Sequence, residues 1–296
     1  MSGKLKEVKD RIESVKNTQK ITKAMKLVAA SKFKRATDAI TQMRPYSNKL
    51  SQMLTNIVTA TEGDVKIDLA EERPAIDNVL IVVITSDKGL CGGFNTNVIK
   101  KAKQAIEQYD AQRKQGKLSL MTIGKKGHDS LKKYKNINFI TDHMNLFKKL
   151  SFENSTPAIE SVLESYTNGE YDKVVIAYSQ FKNAITQIFH LKQFLPIEKL
   201  EIDETAKKTK VDYVFEPDKH LLIQELAPKI LKTQFYSYLL DSNASEHGAR
   251  MSAMDNATEN ANELLKDLKT TYNKERQAAI TKELIEIVSG AAALGS

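Results

Sequence analysis

Glycine and proline are missing where a long helix needs them missing. Positions 4–44 contain neither, and beyond Pro228 the chain reaches Gly290 with Gly248 as its only breaker. A C-terminal helix over 218–289 at roughly 1.5 Å per residue approaches 100 Å, about three times the width of a small domain. A helix of that length cannot be one wall of a globule, so the two ends of the chain are expected to lie outside whatever the middle folds into.

The ends are patterned as partners for each other. Leu5, Val8, Ile12, Val15, Gln19, Thr22, Lys26, Ala29, Phe33, Ala36, Ile40 and Met43 recur at spacings of three and four, the seam of a coiled coil. Met251, Met254, Thr258, Ala261, Leu265, Leu268 and Tyr272 form a second such seam. Beyond it the apolar positions Ile280, Leu284, Ile287 and Ala291 follow two successive steps of four through Arg276, which predicts a stutter that locally unwinds the supercoil. Pro217 suits a first helical turn. The chain leaves along one helix and returns along the other, so the pair is expected to be antiparallel, with a surplus of roughly 18 residues, or about 27 Å, on the C-terminal side.

Two stretches fit poorly with a bare two-helix coil. Around 21–30 the seam turns polar at Gln19, Thr22 and Lys26 while Ile21, Met25, Leu27 and Val28 place apolar atoms elsewhere. The helix is thus apolar on nearly every side, and either a third helix or a surrounding protein must cover it. The Ala-rich C-terminal tip suits a close-fitting sleeve or a fraying end.

The middle changes period. The β-branched run 79–85 and the segments 118–124, 137–141 and 173–178 read as buried strands, separated by helical stretches 96–114, 126–134 and 156–166. That alternation predicts a mainly parallel sheet covered by helices. Segment 186–197 follows too closely for a helical crossover and is expected as an antiparallel edge strand. Polar stretches 61–73 and 202–210 read as linkers. The expected class is therefore α/β: a long antiparallel coiled coil of N- and C-terminal helices (1–60 and 212–296) plus a mainly parallel-sheet α/β domain (74–200).

Charge and chemistry narrow the function. Thirteen Lys and Arg stand against four acids up to Leu50, while the whole chain is +8. Such a basic arm calls for an acidic partner, whether nucleic acid, anionic lipid or an acidic protein loop. Cys91, the single cysteine, excludes an internal disulfide and suits a reducing compartment. No apolar run of about 18 residues is present to span a bilayer, and no signal-peptide core precedes the heptads. The turn Ser86-Asp87-Lys88-Gly89-Leu90-Cys91-Gly92-Gly93-Phe94-Asn95 follows a strand and precedes a helix, yet matches no dinucleotide or P-loop pattern. His128, His143, His190, His220 and His247 lack metal-ligand spacing. No catalytic residue, cofactor or metal site is expected.

Three segments carry a resemblance. Residues 15–32 (VKNTQKITKAMKLVAASK), the turn 86–93 (SDKGLCGG), and the tail from Tyr272-Asn273-Lys274 through Arg276-Gln277-Ala278-Ala279-Ile280-Thr281 to Glu283-Leu284-Ile285-Glu286-Ile287-Val288-Ser289-Gly290-Ala291 resemble the gamma subunit of bacterial F-type ATP synthase. The resemblance implies a non-catalytic central-stalk rotor subunit whose paired helices turn inside a hexamer of alpha and beta subunits, coupling proton flow to ATP synthesis or hydrolysis. It implies an α/β foot carried, with the epsilon subunit, on the ring of c subunits. It implies bearing and alpha-beta contacts at Met25, Lys26, Arg276, Gln277, Thr281 and Glu283, and ring-side contacts at Tyr213, Phe215 and Glu216. The chain would then be peripheral, on the cytoplasmic face of a bacterial cell membrane, with ATP chemistry left to beta. The other class compatible with the residues is a basic coiled-coil nucleic-acid-binding arm on an α/β domain, which predicts binding that collapses with salt.

Overall fold

The computed structural model describes residues 3–60, 69–71, 73–197 and 219–294; of 54–60, 219–224 and 292–294 only the backbone is described. Helix α1 covers Gly3–Ala60 and helix α6 covers Lys219–Leu294. Both run through prolines, Pro45 in α1 and Pro228 in α6, and α6 also continues through Gly290. The chain divides into two compact units, one of Met1–Ser31 with Arg250–Ser296 and one of Lys32–Ala249, and each long helix contributes to both.

The larger unit is built on a five-stranded sheet in the order β3-β2-β1-β4-β5. Strands β1 (Val79–Ile84), β2 (Leu118–Ile123), β3 (Asn138–Ile140) and β4 (Lys173–Phe181) are parallel, and β5 (Gln187–Leu195) pairs antiparallel with β4 at the edge. Helices α2 (Phe94–Gln108), α3 (Asp110–Lys114), α4 (Lys125–Leu131) and α5 (Phe152–Thr167) connect them. A short 3-10 turn, Leu146–Lys149, precedes α5. Ser151 caps α5 by accepting the N–H of Asn154.

Every residue of β1 is buried because both faces of the sheet are covered, which is why the strand reads as an unbroken apolar run. Leu80, Val82 and Ile84 pack with α5 and with Ala227, Ile230, Leu231, Phe235, Tyr238 and Leu239 of α6. Val79, Ile81 and Val83 face α2 through Phe94, Val98, Ala102, Ala105 and Ile106. The expected helix 96–114 is two helices, parted at Tyr109 and ended by Gly116 with φ +73°.

Strand β4 runs three residues past its expected end at Tyr178, carried by its ladder with β5, which pairs as far as Phe181 with Gln187, while its other edge is bare there. Its pairing with β1 stops at Ala177. Beyond that, Ser179 N–H donates to Ser242 Oγ at 3.3 Å and Phe181 N–H to Asp241 Oδ1 at 3.2 Å, while Arg44 Nη2 donates to the carbonyl of Phe181. Side chains of α6 and α1 thus take over where a neighbouring strand is missing, and the extra turn of strand keeps its backbone groups satisfied.

The smaller unit is the antiparallel pair of helical segments. Leu5 and Ala29 are buried on one helix, and Met254, Ala261, Leu265 and Leu268 on the other. From Leu5 to Ala29 the eight positions of the expected N-terminal seam that fall in this unit are buried or half-buried, as are Phe33, Ala36, Ile40 and Met43 within the larger unit, whereas Ile21, Leu27 and Val28, off the seam, are 58–65% exposed.

Candidate functional site

The seam of the smaller unit carries polar layers where the sequence puts them. Gln19 Nε2 donates to Asn262 Oδ1; Thr258 Oγ1 donates to Thr22 Oγ1 at 2.8 Å; Lys26 Nζ donates to Asp255 Oδ1 at 2.5 Å. At the far end Lys4 approaches Glu275 at 3.5 Å. Each step forward along α1 is matched by a step back along α6, so the pair is antiparallel in one constant register. Lys26, which the resemblance turns toward an acidic partner, spends its ammonium on Asp255 of its own chain.

The C-terminal end of the pair departs from the expected pattern. The half-buried positions after Leu268 are Tyr272, Glu275 and Ala279, which continue the steps of four, three and four. Ile280 is 50% exposed, and the stutter through Arg276 is absent from the burial pattern. The apolar residues whose spacing suggests it do not face α1 at all. In this register the start of α1 lies opposite the region of Glu275 to Ala279, so α6 simply outruns its partner. From 280 to 291 every side chain is exposed, and Ile280, Leu284, Ile285, Ile287 and Val288 are bared by 50–67%.

The expected contact residues fall into two groups on this framework. Met25 and Lys26 are half-buried on α1, where Ile21, Met25 and Val28 form one stripe at helical spacing. Arg276, Gln277, Thr281 and Glu283 are exposed on α6, and Thr281 Oγ1 is spent locally on the carbonyl of Gln277 at 2.9 Å. Among the described residues nothing fixes the Arg276 or Gln277 side chains. Tyr213, Phe215 and Glu216 lie outside the described residues, as do Pro217 and most of both expected linkers.

The turn after β1 is closed on itself. Ser86 N–H donates to Asn95 Oδ1 at 3.0 Å, Ser86 Oγ donates to the Lys88 carbonyl at 2.6 Å, and Asn95 Nδ2 donates to Ser86 Oγ at 2.8 Å and Cys91 Sγ at 3.1 Å. Cys91 is 2% exposed, and Leu90 sits at φ +64°. These polar groups hold the loop rather than aim at a ligand. Gly124 is required where this loop meets the β2–α4 turn: its φ is +90°, and a Cβ there would stand 2.1 Å from the Thr85 carbonyl oxygen.

His190 stacks on Tyr178 at 5.4 Å with Nε2 at 2.8 Å from Gln180 Oε1, and His128 meets the edge of Phe139 at 5.6 Å. Burial, with Lys192 and Lys101 nearby, lowers the pKa of His190. Among the described residues no three metal-capable side chains come together, and no helix is long and apolar enough to cross a membrane.

Comparison with known proteins agrees across the full length. The family model described as "ATP synthase" matches residues 4–294. The ATP synthase gamma chain of Cytophaga hutchinsonii is 50% identical over 295 residues, covering 99% of both chains. That of Christiangramia forsetii is 50% identical over 291 residues, covering 98% of each. That of Chlorobaculum tepidum is 43% identical over 291 residues, again covering 98% of each. Among solved structures, a chain of the Euglena gracilis mitochondrial ATP synthase (OSCP/F1/c-ring) superposes with TM-score 0.69 at 21% identity, covering 99% of this chain and 95% of that one. A chain of the Tetrahymena thermophila mitochondrial central stalk and c-ring gives 0.60 at 24%, covering 80% and 99%. At those identities the superpositions speak for the fold, while the curated relatives speak for the family. The chain belongs to the ATP synthase gamma-chain family.

Proposed function

We propose that this chain is the central-stalk rotor of an F-type ATP synthase, coupling transmembrane proton flow to ATP synthesis or hydrolysis. The observation that carries the reading is the unpartnered apolar end of α6. Five large apolar side chains between Ile280 and Val288 stand bare on a helix that its antiparallel partner does not reach. Apolar surface of that kind on a single helix needs an enclosing partner. The hexamer of alpha and beta subunits supplies one, and apolar contacts without directional hydrogen bonds let a shaft turn without locking at one angle.

In this reading the chain is a non-catalytic subunit. Each angular position presents different side chains to each beta subunit, and a rotor shifts their conformational equilibria only through contacts that differ between states. Arg276, Gln277, Thr281 and Glu283 are the polar contacts to a beta-subunit loop, with Met25 and the stripe around it as bearing surface. Lys26 acts chiefly by holding α1 to α6 through Asp255. The α/β unit is the foot, resting with epsilon on the c-ring, with Tyr213, Phe215 and Glu216 on the ring side. The protein is then peripheral to the membrane, on the cytoplasmic face of a bacterial cell.

Co-expression with the alpha, beta and epsilon subunits, followed by reconstitution onto membranes that carry the c-ring and the rest of the membrane sector, tests the reading. A stoichiometric complex whose membrane-bound form pumps protons on ATP is the expected outcome. A chain that stays out of such a complex, or hydrolyses ATP when purified free of alpha and beta, overturns it. Nucleic-acid binding with a steep salt dependence would instead favour the basic-arm alternative.

A further inference from the structure

We infer, on the strength of the rotor reading, that the end of β4 is the joint at which torque passes between the α/β foot and the two long helices, with Arg44 and Asp241 as its positioning residues. One strand residue is held by both helices at once. Phe181 gives its N–H to Asp241 Oδ1 of α6 at 3.2 Å, and its carbonyl accepts Arg44 Nη2 of α1. Arg44 Nη2 also donates to Asp241 Oδ1 at 3.1 Å, so strand, α1 and α6 close a three-cornered ring of hydrogen bonds.

Further contacts widen this grip. Ser242, next along α6, accepts the N–H of Ser179 at 3.3 Å and donates to the Ser179 carbonyl at 3.4 Å. Ser179 and Phe181 turn these backbone groups to the edge that β1 leaves after Ala177, so α6 stands where a strand would. Phe33 of α1 packs edge-on against the Phe181 ring at 5.6 Å. Gly248 lies two turns after Asp241 on the same face of α6. A Cβ there would stand 3.1 Å from the Phe33 ring and 3.2 Å from the Ala184 carbonyl oxygen, so the β4–β5 hairpin also closes on α6.

Direction separates this end of the sheet from the rest. Elsewhere α6 offers the sheet Ala227, Ile230, Leu231 and Phe235, whose apolar contacts have no angular preference. Lys232 reaches Glu160 of α5 at 2.5 Å, but Glu160 is 43% exposed and solvent screening weakens that pair. Side chains reach roughly 5–6 Å from a helix axis, so a turn of about 20° moves a carboxylate by about 2 Å. That displacement breaks a hydrogen bond. A helix gripped through Asp241 and Ser242 therefore turns with the sheet or loses both bonds. Strand β4 is itself braced, with β1 on one side and β5 on the other, so a load on Phe181 spreads into the sheet.

The ratio of ATP-driven proton pumping to ATP hydrolysis in the membrane-reconstituted complex tests the joint. Hydrolysis turns the helix pair inside the hexamer, whereas pumping also needs the foot to follow. Arg44→Ala/Asp241→Ala should hydrolyse ATP within about twofold of wild type while the ratio falls about threefold or more. Asp241→Asn keeps an oxygen for Phe181 but drops the ionic pair with Arg44, and should lower the ratio less, in the same direction. It decides the matter if the double variant does not assemble. Asp172→Asn, at the other end of β4, breaks bonds to Arg73, Asp77 and Asn78 rather than to either long helix. It is the control for lost stability, and its ratio should stay at the wild-type value. A ratio unchanged in the joint variants that assemble, or lowered equally by Asp172→Asn, overturns the joint alone. A wild-type complex that does not pump overturns the rotor reading and the joint with it.

Discussion

Asp241 of α6 accepts the backbone N–H of Phe181 at 3.2 Å and pairs with Arg44 of α1 at 3.1 Å, so one carboxylate ties both long helices to the end of β4. Its side chain is 8% exposed. Burial raises its pKa, and the hydrogen bond and charge of Arg44 and the N–H of Phe181 work against that rise. Arg44 also lies 5.9 Å from the centre of the Phe181 ring, and Phe33 packs on the same ring edge-on at 5.6 Å.

Asp241→Ala leaves the strand N–H of Phe181 without its acceptor and the half-exposed guanidinium of Arg44 without its carboxylate, and the expected loss is roughly 1–3 kcal/mol in urea denaturation of the purified chain. Asp241→Asn retains an oxygen for Phe181 and should lose about half as much. The raised pKa means that Asp241 favours folding most in its protonated form. That contribution is present below the unfolded carboxylate value and is lost as pH rises through the higher folded one. Denaturation midpoints compared between wild type and Asp241→Asn across that interval check the sign: the wild-type advantage should shrink toward alkaline pH only over the Asp241 titration, then stay flat.

Asp172 behaves in the opposite sense. Burial pushes its pKa up, but the N–H groups of Asn78 and Asp77 and the guanidinium of Arg73 outweigh it, and the net direction is down from 3.8. Its oxygens accept Asn78 N–H at 2.8 Å and Arg73 Nη1 at 3.0 Å, and Arg73 reaches on to the Tyr166 carbonyl at 2.7 Å. The stabilisation is complete above the unfolded carboxylate value of 3.8 and disappears as pH falls through the lower folded value. Asp172→Asn should therefore be less stable than wild type by roughly 1–2 kcal/mol at pH 7. The two curves should converge in acid below that value, read from urea midpoints taken between neutral pH and pH 2.

In the coiled-coil unit the Lys26 to Asp255 pair is half-exposed, with side-chain exposures of 38% and 45%. Solvent screening holds its worth to about 1 kcal/mol or less. Lys26→Ala and Asp255→Ala should each lower the thermal midpoint slightly, and the exchange Lys26→Asp/Asp255→Lys should restore most of it. An exchange that restores stability but not proton pumping would assign Lys26 a second contact outside the chain.

Much of this architecture is written in the residues. The seam from Leu5 to Met43 is legible because a heptad pattern states directly which side chains leave water, and β1 because only a strand covered on both faces is apolar at six successive positions. What escapes such reading is anything set by a distant segment. The extension of β4 to Phe181 rests on its ladder with β5 on one edge and on Asp241 and Ser242, some sixty residues away, on the other, and a solitary Asp in a helix gives no hint that it caps a strand. The break at Tyr109 has no glycine or proline to announce it. The tail shows the converse limit: apolar periodicity at Ile280, Leu284 and Ile287 looks like a seam, but a pattern on one helix names a face without naming what covers it. Arg276 and Gln277 became candidate contacts through family resemblance alone, since exposed polar side chains without partners carry no mark of function.

That last pair offers the sharpest separation between folding and function. Arg276 and Gln277 are exposed and their side chains hold nothing among the described residues, so Arg276→Ala/Gln277→Ala should change the stability of the isolated protein by less than about 0.5 kcal/mol. If they meet a beta-subunit loop, the same variant in the assembled enzyme loses interactions that differ between rotor angles, and ATP-driven proton pumping should fall several-fold relative to ATP hydrolysis. Glu263→Ala/Lys274→Ala, at exposed positions on the same helix, serves as the control and should leave the ratio of pumping to hydrolysis unchanged. Fluorescence quenching in inverted membranes alongside phosphate release measures both quantities. Equal effects from the two variants would remove Arg276 and Gln277 from the torque-bearing surface and leave the bare apolar stretch beyond Ile280 to carry it.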